Sequence, residues 1–282
     1  NSTGGLGTVD TPERIGGYLP EQKYNRYQYV LAHSWRPGFG VLDSDLTRNT
    51  TETIGRTIPF IATRPDDAGR PRTLEGTNTI FNTKLLTVRG AHTLRVGGQI
   101  WQARMIDGVA EGPFEFTQNA VFAEDEWRIV RTVAVTLGLR YDHHSTFGGK
   151  PSPRVYAVWN PSPRWTIKGG VSRGFKTPRL EQIADGINGF GGQGRIPLIG
   201  SPGLKPETST STEVALHYAS TAFGAGVTLF HNHFEDKIAS GEGVPNCSFA
   251  ASPNRPGCVD HGYWPDVDLF GQSINVDQAV TR

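Results

Sequence analysis

No run of about 18 apolar residues occurs in this chain, so it holds no transmembrane helix. Charge of one sign is equally scarce. The 28 basic side chains face 27 acidic ones, leaving +1. A protein that coats nucleic-acid phosphates carries a large basic excess, so that partner is set aside. Helical periodicity is missing too, because apolar residues nowhere keep a helical spacing over more than two turns. Cysteine appears only as Cys247 and Cys258, with ten residues between them in a Pro/Asn/Gly-rich stretch. There is no C-x₂-C pair and no second pair to complete a zinc site. The isolated pair reads as a loop disulfide formed in an oxidising compartment, the alternative being two reduced thiols in a cytosolic loop. The only methionine is Met105, the first residue is Asn1, and no signal peptide is visible, so an internal piece of a longer protein is expected.

What is abundant is glycine, 35 of 282 residues, accompanied by 19 prolines. That punctuates the chain too often for a helical bundle. Between these breaks, apolar and polar residues alternate. Along 132–144, Val133, Val135, Leu137, Leu139 and Tyr141 share one face, while Thr132, Ala134, Thr136, Gly138, Arg140 and Asp142 share the other. Such stretches predict about eleven strands, near 24–35, 39–56, 78–88, 92–105, 118–129, 132–144, 152–160, 164–174, 211–220, 224–235 and 273–282. The stretch 39–56 alternates poorly. Short turns near 36–38, 89–91, 130–131, 161–163 and 220–223 alternate with long polar loops near 57–77, 106–117, 145–151, 175–210 and 236–272. Tight turns at one rim and long loops at the other are the rhythm of an antiparallel up-and-down transmembrane β-barrel, an all-β fold. Tyr24, Trp35, Trp101, Trp127, Tyr141, Trp159, Trp165 and Tyr218 are expected near strand ends, where amphipathic rings suit the headgroup level. A secreted soluble β-rich enzyme or lectin, with an apolar interior and no lipid-facing belt, is the alternative from another class.

At this point particular residues resemble a family. Val121-Phe122-Ala123-Glu124-Asp125-Glu126-Trp127-Arg128 and Leu137-Gly138-Leu139-Arg140-Tyr141-Asp142 look like a strand pair of TonB-dependent outer-membrane receptors. Ser152-Pro153-Arg154, then Ser172-Arg173-Gly174-Phe175-Lys176-Thr177-Pro178-Arg179-Leu180, then Leu204-Lys205-Pro206-Glu207, continue in family order. The spacing resembles most the catecholate siderophore and colicin receptor branch. Thr177, Arg179 and Ser201-Pro202-Gly203 depart from the usual pattern. The resemblance implies a barrel of 22 strands, of which this chain would supply about half, residues 1–282 forming one partial barrel domain. The N-terminal plug, the TonB box and the C-terminal strands are not seen. It further implies a receptor in the outer membrane of a Gram-negative bacterium that imports a ferric siderophore, driven by the TonB–ExbB–ExbD complex. Outer-membrane lipid and lipopolysaccharide would surround it, and a colicin or phage could exploit it. No enzyme activity and no resident cofactor are expected. Import of haem, cobalamin or another chelate, or service as a surface adhesin or phage and bacteriocin receptor, stay open.

Candidate chemistry is sparse. Gly189-Phe190-Gly191-Gly192-Gln193-Gly194 matches G-x-G-x-x-G, but no buried strand precedes it and Pro197 stands where a helix should begin, so a loop is expected. His231-x-His233 would put two imidazoles on one strand face without a fixed third ligand, and no metal site is assigned. Asp125 and Glu126 would point oppositely, whereas Glu124 and Glu126 would share a wet lumen wall, so no catalytic carboxylate pair is expected. Arg173, Lys176, Arg179, Arg195 and Lys205 fall at a strand tip or in the long 175–210 loop. A ferric tris-catecholate is anionic and aromatic, and suits guanidinium charge and ring stacking. Arg173, Phe175, Lys176, Arg179, Phe190 and Arg195 are therefore the expected ligand contacts. The competing role for these charges is a solvated loop that resists aggregation or binds lipopolysaccharide. Pro178, Pro202 and Pro206 would end strand pairing and shape the loop.

Overall fold

The computed structural model describes residues 18–58, 65–67, 69–108, 110, 112–191 and 196–282. Eleven strands form a curved wall: β1 (Tyr18–Trp35), β2 (Val41–Thr57), β3 (Pro71–Arg89), β4 (His92–Asp107), β5 (Phe114–Val130), β6 (Val133–His144), β7 (Gly148–Ser162), β8 (Trp165–Lys176), β11 (Glu207–Ala219), β12 (Gly224–Ser240) and β14 (Leu269–Thr281). They pair antiparallel in that order. The gap in numbering is filled by two short strands in the loop after β8, β9 (Ile187–Gly191) and β10 (Ile196–Ile199). A third, β13 (Val244–Pro245), lies in the loop after β12.

Paired residues in an antiparallel ladder point to the same side, so the register assigns both faces of the wall. One row runs Trp35, Leu42, Leu85, Val96, Ala123, Leu139, Pro153 across seven strands. The outward set on β6 is Val133, Val135, Leu137, Leu139 and Tyr141, after which His143 ends the apolar stretch. β4 carries Leu94, Val96 and Ile100 outward and then turns polar at Gln102 and Arg104. These apolar side chains are open rather than covered: Leu139 is 54%, Val214 55% and Leu229 70% exposed. A soluble β-fold would bury them; a wall facing hydrocarbon has lipid as their partner. The wall strands run from 12 to 19 residues, more than the ~9–11 needed to cross a bilayer, so their upper ends stand above it. One carboxylate interrupts the belt. Asp125 meets His92 Nδ1 at 2.7 Å, and the imidazole stacks on Trp127 with ring centres 5.6 Å apart.

The opposite face is polar and internally wired. Asn82 donates to Asp45 at 3.0 Å, Gln99 to Asn82 at 2.8 Å, Arg140 to Gln99 at 2.9 Å, and Gln118 to Asp142 at 2.8 Å. Nearer the short turns, Arg95 reaches Glu124 at 2.9 Å and Glu126 at 3.7 Å. Tyr156 donates to Glu213 at 2.7 Å while its ring lies over Gly170, where any Cβ would strike it. A lumen filled with water and ionic groups is the environment such a face requires.

The loop-length rhythm needs one correction. The connection expected as a long loop over 145–151 is only 145–147, because β7 begins at Gly148, whose φ of 68° closes a tight turn. Pro151 and Pro153 lie inside β7 and do not break it. In that stretch β7 pairs with β6 but meets β8 only from Arg154 onward, and a strand with one free side tolerates a missing amide donor. The aromatic expectation also holds only in part. Trp35, Trp127, Trp159, Trp165 and Tyr218 lie near the strand ends at the short turns and Tyr141 near the other end of β6, whereas Tyr24 and Trp101 stand well inside their strands. The stretch 39–56 does form a strand, β2, despite its weak alternation.

The main hydrophobic cluster lies outside the wall, in a cap built from the two longest loops. Ile199, Trp264 and Phe270 are buried together, with Ile187, Val244, Val259 and Val267 around them. Leu198 and Ile199 of β10 pair in parallel with Gly271 and Gln272 of β14, joining the loop after β8 to the loop after β12. Gln272 donates to the Gly200 carbonyl at 2.9 Å, and Asn275 clasps Lys205 through both its amide and its carbonyl. Gly200 has to be glycine, since a Cβ there would overlap the Ala184 carbonyl. Within the second loop Cys247 and Cys258 are disulfide-bonded, with their Cα atoms 5.0 Å apart. Fully buried Asn246 donates to the carbonyls of Trp264 at 2.8 Å and Val267 at 2.7 Å, satisfying backbone groups that no ladder reaches.

Candidate functional site

Two adjoining cavities open between the upper lumen wall and the cap. One, about 730 Å³, is lined by Trp101, Phe116, Arg140, Phe175, Lys176 and Arg179 among others. The other, about 860 Å³, lies between the upper ends of β2 to β4 and the cap, against Arg72, Asp107, Arg179, Gln182 and Leu198. They share Met105, Arg179 and Glu181. Both have the size of a pocket for a small organic ligand.

The wall of the first cavity is aromatic. Trp101 on β4 stands on the lumen side because its neighbours Ile100 and Gln102 point outward. Its indole N–H donates to Asn78 at 2.9 Å, and its ring meets Phe116 edge-on at 4.9 Å. Phe116 stacks on His144 at 4.6 Å, and His144 in turn lies 5.0 Å from Phe147. Trp101 and Phe116 face the cavity, and buried His144 with Phe147 backs them from behind. Rings held by packing and a hydrogen bond offer flat area at little entropic cost.

Cations flank that surface. Arg140 is fixed by three hydrogen bonds to Asp142, the shortest 2.7 Å. Arg72 grips Asp107 bidentately at 2.7 and 2.6 Å. Arg179 lies just before the short helix α1 (Leu180–Ile183) and contacts Glu181 at 3.0 Å. Gln182 of that helix accepts the Arg179 N–H at 2.9 Å and donates to Ser273 of β14 at 3.0 Å, which ties Arg179 to the barrel wall. Lys176, at the tip of β8, has no carboxylate within ion-pair distance among the described residues.

Of the expected contacts, Lys176 and Arg179 come together on the first cavity; Phe175 borders it too, although its pairing with Thr208 gives it the outward phase of β8. Arg173 does not join them. It pairs in register with Thr210 on the outward face, 3.8 Å from Glu235, and borders a smaller recess of about 370 Å³ between β6, β7 and β8. Phe190 belongs to β9, and Arg195 lies outside the described residues. Lys205 is held by Asn275 away from both cavities. His231 and His233 share the outward face of β12, and no cluster of three metal-binding side chains exists among the described residues. Trp101, Phe116, Arg140 and the Arg72–Asp107 pair escaped the sequence reading. The one usable signal was Trp101, an aromatic on the polar phase of an alternating strand.

Comparison with known proteins agrees with this architecture. Residues 2–282 match the family described as TonB dependent receptor-like, beta-barrel, and the chain belongs to that family. It is 34% identical over 222 residues to the iron-regulated outer membrane virulence protein of Vibrio cholerae, covering 77% of this chain and 32% of that protein. It is 34% identical over 129 residues to the ferric enterobactin receptor of Pseudomonas aeruginosa, 43% of this chain and 17% of that one. The crystal structure of the siderophore receptor PirA from Pseudomonas aeruginosa superposes with a TM-score of 0.74 at 22% identity, covering 92% of this chain and 45% of that one. The chain spans about a third of the Vibrio relative's length and under half of the solved receptor's. The Vibrio relative is named as an outer-membrane protein and the Pseudomonas relative as a receptor, and this wall belongs to the outer-membrane β-barrel family that the match defines.

Proposed function

We propose that the protein containing this chain imports a ferric siderophore of the catecholate class across the outer membrane, driven by TonB with ExbB and ExbD. The cap and upper lumen capture the chelate, and the wall supplies the water-filled passage below. The observation that carries this reading is the union, at one cavity, of a fixed aromatic surface (Trp101, Phe116) with the cations Lys176 and Arg179. Catecholate rings stack on the former, and the negative iron complex is drawn to the latter. Names of relatives, among them ferric enterobactin receptors, support the same ligand class.

The test is growth of a deletion strain under iron limitation with defined ferric chelates, complemented by wild-type and variant genes. The reading expects growth on a ferric tris-catecholate to require the gene. In the purified complete receptor, Lys176→Ala combined with Arg179→Ala should weaken binding about tenfold at low ionic strength, an effect that fades in high salt. Unchanged uptake of every iron chelate tested would remove the siderophore assignment.

A further inference from the structure

Three arginine–carboxylate pairs with both partners at the cavity linings differ in how firmly each is held; Arg104 of the first cavity pairs instead with Glu115, which lines neither cavity. The Arg72–Asp107 side chains are 4% and 2% exposed and bidentate. In Arg140–Asp142 the carboxylate is 2% exposed, and it also accepts from Gln118. Opening either pair would strand a buried charge, so both are fixtures of the wall. The third is different in kind. Arg179 is 70% and Glu181 27% exposed, and the contact is a single Nε–Oε1 approach of 3.0 Å. An exposed, monodentate pair is held weakly, and either partner can turn into water without stranding a charge.

We propose that Glu181 is a displaceable resident counter-ion of Arg179 and sets the charge class of ligand the cavities accept. The pair lies on the lining shared by both cavities, so a chelate that fills either one meets it. An anionic complex repels Glu181 and takes its place on the guanidinium. An uncharged complex has nothing to offer Arg179 and leaves the pair closed. Arg179 itself stays in position during the exchange, because its backbone is tied through Gln182 to Ser273. Glu181 therefore acts as a specificity-determining residue that works through Arg179. This deepens the assignment of the cavities to chelate capture and rests on it.

The test uses the complete receptor, a ferric tris-catecholate as the anionic probe and an uncharged ferric tris-hydroxamate as its control. Binding is followed by quenching of intrinsic tryptophan fluorescence at low ionic strength. Glu181→Gln should tighten binding of the anionic probe about three- to tenfold and leave the uncharged probe unaffected. Glu181→Asp, which retains the charge, should behave like the wild type. In an Arg179→Ala background the gain from Glu181→Gln should disappear, since no guanidinium remains to be released. If Arg179→Ala weakens the anionic probe but Glu181→Gln leaves it unchanged or weaker, the counter-ion role is wrong. A gain that survives in the Arg179→Ala background would also overturn it, because the carboxylate would then act as a general repulsive charge. If neither Arg179→Ala nor Lys176→Ala alters binding, the capture site itself has been misplaced.

Discussion

Replacing Leu139 with lysine is expected to destabilise the complete receptor by about 2–4 kcal/mol, the cost of a cation near the middle of a bilayer on the lipid face of a barrel. Leu139 lies one outward position beyond the centre of the apolar stretch of β6, between Ala123 and Pro153 in its row, with no carboxylate directly opposite. Leu137 would be a poorer choice, because Asp125 stands directly opposite and would neutralise the new charge. The matched control is Thr136→Lys on the same strand. Thr136 faces the lumen opposite Glu126 and Tyr156, where water and a carboxylate receive the ammonium, so the change should stay within about 0.5 kcal/mol. Urea titration of the receptor folded into vesicles, read by the gel mobility of the folded barrel, separates the two. Equal losses for both variants would mean that the assignment of faces is wrong.

The second large effect concerns Asp107. Truncation to alanine leaves the Arg72 guanidinium buried without its bidentate partner, and removing one member of such a pair costs about 3–5 kcal/mol. The loss should appear locally, as faster amide exchange at the upper ends of β3 and β4, where Arg72 and Asp107 hold the two strands together above the membrane. The paired replacement Arg72→Met with Asp107→Leu should recover most of it, because buried ion pairs contribute little over well-packed apolar side chains. Exchange unchanged by Asp107→Ala would show that the pair does not brace this end of the wall.

How far the fold was legible follows from where water lies. Within the bilayer only one side of each strand is wet, so β6, β8 and β11 carry a clear two-residue alternation and all eleven wall strands could be placed. Above the bilayer both sides are wet. The alternation fades there, so the upper ends of β3, β7 and β12 carry no strand pattern in the sequence. At β7 the expected strand near 152–160 already included Pro153, and the part missed is 148–151, where the strand is paired with β6 alone. The cap was invisible for another reason. Its strand β10 pairs with residues of β14 far along the chain, and Asn246 replaces a ladder with side-chain hydrogen bonds, so no local pattern announces either.

The site divides in the same way. Phe175, Lys176 and Arg179 were accessible because cations and aromatics in a long rim loop suggest contact with an anionic aromatic ligand. Phe116 and Arg140 resembled any other strand residues until the register placed them on one cavity. Glu181 carried no signal at all, because a carboxylate in a polar loop is ordinary until its distance from Arg179 is known.

The wall's orientation can be read directly by spin labels placed singly along 133–143 of β6 in the complete receptor, reconstituted in bilayers. Collision rates with oxygen, which concentrates in hydrocarbon, and with a water-soluble nickel chelate should oscillate with a period of two and in opposite phase. Val133, Val135, Leu137, Leu139 and Tyr141 should be the oxygen-accessible set, and His143 should emerge into water. Odd positions sheltered from both reagents would mean that they pack beneath a second protein layer, and the barrel account would be contradicted.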